Sequence, residues 1–112
     1  KKLVATPENL FAFYENDLVD IISTDFAAGA SDSMLEGIQH ASLEKKLVGF
    51  AKAVAQGTTK VTEALPLIAP NLGQLKKGFG ADILVTSYPE IKNVERVYVG
   101  GKLVAKDGKV LR

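Results

Sequence analysis

Cysteine and tryptophan are both absent from this 112-residue chain, and histidine and methionine occur once each. Without cysteine there can be no disulfide and no thiolate metal site, so any metal would need histidine or oxygen ligands. The lack of cysteine also suits a reducing compartment, and a cytoplasmic location is expected. No apolar run approaches the roughly 20 residues that cross a bilayer. Lys1 and Lys2 are followed by no long apolar stretch, so the start does not read as a secretory leader. Position 1 is Lys rather than Met, which fits a processed or excised segment. No excess of one charge is present either: 14 basic and 13 acidic residues leave a formal net charge of +1. Basic residues pair up only at Lys1-Lys2, Lys45-Lys46 and Lys76-Lys77. That scatter gives no sign of the clustered basic face of a nucleic-acid binder and no support for a membrane-surface role.

What is present is ordinary globular material, with a hydrophobic fraction of 46% and a charged fraction of 24%. Thr6-Pro7-Glu8 starts a helix: a capping hydroxyl, a proline whose φ suits the first turn, and an acid at the positive end of the dipole. Leu10, Phe11, Phe13 and Tyr14 give it an apolar face, and Asn16-Asp17 stops it. Leu18 to Thr24 is short, β-branched and almost wholly apolar, which predicts a strand covered on both faces and ending at Asp25. Small residues from Phe26 to Ser31 make a loop. Ser33-x-x-Glu36 predicts a capped helix to about Ala41, and Leu43, Leu47, Phe50, Ala51 and Val54 predict another from Leu43 to Gln56, ended by Gly57. A short helix capped by Thr58 or Thr59 must stop near Pro66.

From Gly73 onward the pattern turns to β. Ile83–Thr86, Val94–Val99, Leu103–Ala105 and Val110-Leu111 are short β-type runs, and Gly100-Gly101 and Asp107-Gly108 suit two-residue hairpin turns. The chain thus reads helix-strand-helix-helix-helix, then antiparallel β. A lone strand buried on both faces cannot satisfy its own backbone. Residues 18–24 therefore expect partners that this chain does not supply.

The block Gly73-Gln74-Leu75-Lys76-Lys77-Gly78-Phe79-Gly80-Ala81-Asp82-Ile83-Leu84-Val85 resembles a G-x-L-x-x-G-x-x-A-D-hydrophobic signature near the C-terminus of the amidohydrolase superfamily. The run Val94 to Val104, with Gly100-Gly101-Lys102, looks like that family's closing hairpin, and Ser23-Thr24-Asp25 resembles the end of its last barrel strand. The order agrees from about Thr6 to Gly108, nearest to the dihydroorotase, aminoacylase and phosphonate-hydrolase-like members.

The resemblance implies an α/β fold: residues 1–72 as the last strand and flanking helices of a (β/α)8 barrel, and residues 73–112 as part of a small composite β-sandwich. It also implies a divalent metal, zinc above all, held by His-x-His and further ligands, with a metal-activated water attacking an amide, cyclic amide or related C–N bond. Asp25 matches the aspartate that contacts that metal and carries the proton to the leaving nitrogen. Its place at the C-terminal end of a barrel strand is where catalytic groups belong in that fold. Ala28, Gly29 and Ser31 would lie at the barrel mouth, where exposed N–H groups can meet an anionic substrate group, although a plain connector is the simpler reading. The partners implied are the rest of the barrel and a small-molecule substrate of the complete enzyme; a homo-oligomer is allowed. Its metal identity and substrate are not written in this segment.

The chain departs from the family pattern in having no His-x-His. The single His40 reads as a surface or interface residue, and Asp82 as a turn or cap residue. Asp20, inside the apolar run, reads as a buried carboxylate in need of a partner. Gly73, Gly78 and Gly80 do not form a nucleotide-binding pattern after a strand. The competing reading is a stand-alone α+β binding or assembly module without catalysis. One carboxylate cannot hold a zinc that wants three or four ligands. This chain alone is therefore expected to retain no stoichiometric metal and to turn over no amide. Elemental analysis after dialysis checks this, and one tightly held zinc per chain would contradict it.

Overall fold

The computed structural model describes residues 7–24 and 33–112. Helix α1 (Pro7–Glu15) is followed by α2 (Met34–Ile38), which runs directly into a π-helical segment (Gln39–Glu44). Then come α3 (Phe50–Gln56), α4 (Thr59–Ala64) and strands β1 (Ile83–Thr86), β2 (Val94–Val99), β3 (Lys102–Lys106) and β4 (Lys109–Val110). The strands form one antiparallel sheet in the order β1-β2-β3-β4. The arrangement is a small α+β one: helices pack on helices and strands pair with their sequence neighbours.

Helix α1 stops where Asn16-Asp17 predicts. Asp17 takes a left-handed conformation (φ 55°). The Leu18 N–H then reaches the Phe13 carbonyl at 2.9 Å and the Asp17 N–H the Tyr14 carbonyl at 3.1 Å, the paired bonds of a Schellman end. The helix expected from Leu43 begins only at Phe50. The π-helical segment widens the preceding turn, Lys46 goes left-handed (φ 54°), and the Leu47 N–H folds back to the Ala41 carbonyl at 2.9 Å. Leu43 thus belongs to the end of the preceding helical run, and Gly49 caps α3 afresh.

Residues 18–24 do not form a strand among the described residues. The segment has the composition of one, but no neighbouring strand supplies the ladder that would make it so. It is anchored instead by the C-terminal end of α3. The Ile22 N–H donates to the Gln56 carbonyl at 3.3 Å, and the Gln56 side-chain amide donates to the Val19 carbonyl at 2.7 Å. Leu18 and Ile21 are exposed, and so is Asp20, which corrects the expectation of a buried carboxylate there.

The sheet follows its turn chemistry. Gly100 and Gly101 (φ 56° and 80°) and Asp107 and Gly108 (φ 50° and 76°) have the positive φ pairs of tight hairpins. Asp82 caps the first of these, its carboxylate accepting the Gly100 N–H at 2.7 Å, as its turn role requires. Ahead of the sheet, Gly73 is also left-handed (φ 81°), and a Cβ there would meet the Thr62 side chain at 2.8 Å, so this turn requires glycine.

Helices and sheet are joined through the β1–β2 connection. Ile91 leaves that loop and is buried with Ile38 and Ala53, with Ile22, Met34, Leu43, Val48 and Val54 packed around them. Tyr88 meets Phe50 edge to face at 6.0 Å. The sheet itself has no buried residue. Cross-strand register places Leu84, Val97, Ala105 and Val110 on one face, and Ile83, Tyr98 and Leu103 on the other.

Replacing Ile91 by Ala removes the apolar plug between the two halves. The expected cost is about 2–4 kcal/mol, as for other buried Ile-to-Ala changes. Urea unfolding followed by circular dichroism measures it, and a loss below about 1 kcal/mol would mean that the loop does not hold the halves together.

Candidate functional site

Asp25 and the mouth-loop residues Ala28, Gly29 and Ser31 lie outside the described residues. What the structure does describe is how the chain is held just before them. Gln56 is buried at the end of α3. Its Oε1 accepts the Tyr14 hydroxyl at 3.2 Å and its Nε2 donates to Val19, while its own carbonyl takes the Ile22 N–H. One residue thereby binds α1, α3 and the segment that leads into Asp25. Burial raises the Tyr14 pKa above its ordinary value, keeping that hydroxyl a donor. Nearby, Lys52 pairs with Asp17 across the exposed edge, and the hydrogen bond and charge of Lys52 hold the Asp17 carboxyl below its usual value. Asp20 borders the same shallow recess of about 190 Å³, along with Lys52, Gln56 and Lys60.

A second group of polar side chains gathers at the π-helical segment. His40 is exposed and pairs with Glu44 through Nδ1 at 2.9 Å. That bond, followed by one from Gln39, lowers the Glu44 pKa. Gln39 is buried; its Nε2 donates to Glu44 Oε1 at 3.1 Å and Glu90 Oε2 at 3.0 Å, and its Oε1 accepts the Lys92 N–H at 3.3 Å. His40 thus sits on the surface, paired with Glu44 and far in sequence from Asp25.

Among the described residues, no group of three or more His, Asp or Glu side chains is arranged to hold a metal ion. The zinc implied by the sequence resemblance finds no fit in these residues. Nor is any helix long and apolar enough, among the described residues, to cross a membrane.

Gln39 and Gln56 were not singled out by the sequence reading, yet they carry the two buried polar networks. The available signal was a polar residue on an apolar helical stripe: Gln56 follows the fully buried Ala53 by one turn, and Gln39 adjoins Ile38. Replacing Gln56 by Leu keeps the bulk but leaves the Tyr14 hydroxyl and Val19 carbonyl without their partner. A loss of about 1–3 kcal/mol is expected, with faster hydrogen exchange at the Ile22 amide than elsewhere in the helices. Unchanged Ile22 protection would show that residues 19–22 are held by something else.

No family model matches the chain, and no curated protein matches it either.

Proposed function

We propose that this chain is the C-terminal part of a metal-dependent amidohydrolase that cleaves an amide, cyclic amide or related C–N bond. In this reading residues 1–72 complete a (β/α)8 barrel and residues 73–112 a composite β-sandwich. Asp25 takes the proton of the attacking nucleophile and passes it to the leaving nitrogen. Ala28, Gly29 and Ser31 border the substrate entrance. The observation that carries the reading is an incompleteness placed where the family pattern predicts it. Among the described residues, the apolar run at 18–24 has no strand to pair with, and a sheet with apolar residues on both faces has none of them buried. Such surfaces are costly to leave in water, at about 25 cal/mol per Å², and a parent protein would cover them. The Gly73–Val85 and Val94–Val104 blocks add the motif resemblance, with Asp82 tied to the Gly100 turn between them.

The zinc ligands, in this reading, belong to the upstream part of the parent, since the described residues make no site of their own. A cytoplasmic location and a small-molecule substrate accompany the proposal. The second reading, a stand-alone α+β module, draws on one observation. No buried side-chain nitrogen or oxygen among the described residues lacks a partner, so the polar interior is complete as it stands.

The two readings part at the gene. A His-x-His following an early strand in the open reading frame supports the amidohydrolase; a frame without one removes it. In the complete protein, Asp25→Asn should retain the metal and lower kcat by roughly 10²–10⁴-fold, the range for loss of a proton-transfer group. Hydrolysis unaffected by that change would overturn the role of Asp25.

A further inference from the structure

We draw no further inference here: the strongest candidate, the sheet face on which Leu84 and Val110 stand exposed, carries nothing because nothing in the structure shows what covers it.

Discussion

The placement of Ile91 between Ile38 and Ala53 is the contact on which the rest of this architecture depends. Among the described residues, α2, the π-helical segment, α3 and α4 contact one another, strands contact strands, and no helix lies on the sheet. Without the β1–β2 loop seated in the helical cluster, two small substructures would remain, each with too little buried surface to persist alone. The seat is made specific by polar chemistry on one side and an aromatic contact on the other. Gln39 accepts the Lys92 N–H and donates to Glu90, while Tyr88 and Phe50 meet edge to face. Burial supplies the energy and the glutamine supplies the register, since an aliphatic residue at position 39 could not select one alignment of the loop.

The sheet and the 18–24 segment share a physical condition. Both have the composition of elements meant to be covered on two sides, and both are left open. In the sheet, the backbone is satisfied and only side chains lack cover: Leu84, Val99 and Val110 are 52%, 54% and 79% exposed. In residues 18–24 the main chain also has no ladder: the Leu18 N–H goes to the Phe13 carbonyl, the Ile22 N–H to the Gln56 carbonyl, and the Val19 carbonyl accepts the Gln56 amide.

The β part of the chain was legible in the sequence because its determinants are local. Gly100-Gly101 and Asp107-Gly108 fix the two turns, strand limits fall within one residue of those expected, and Asp82 reaches only as far as Gly100. The end of α1 was legible for the same reason, with Asp17 accepting the left-handed position. The break at Lys46 was not. Its left-handed φ is carried by a lysine where glycine or asparagine is the usual mark, and Leu43 kept the helical spacing across the break. Residues 18–24 misled in another way: apolar, β-branched composition states a preference for strand, but a strand exists only with a partner. Of the candidate site, Asp25, Ala28, Gly29 and Ser31 rest on motif resemblance alone. The two glutamines that organise the interior have no motif, and their importance comes from contacts across 37 to 53 residues of sequence.

The position of Ile91 also sets an order of events during synthesis. The hairpins need only neighbouring residues and can close soon after they are made, as local contacts generally do. The helical cluster cannot: its plug is added roughly 35 residues after α3 ends at Gln56, which at about 5–20 residues per second is a wait of several seconds. Until then Ile38, Val54 and their neighbours face water. The helical core is therefore completed only by a loop made after all of its helices.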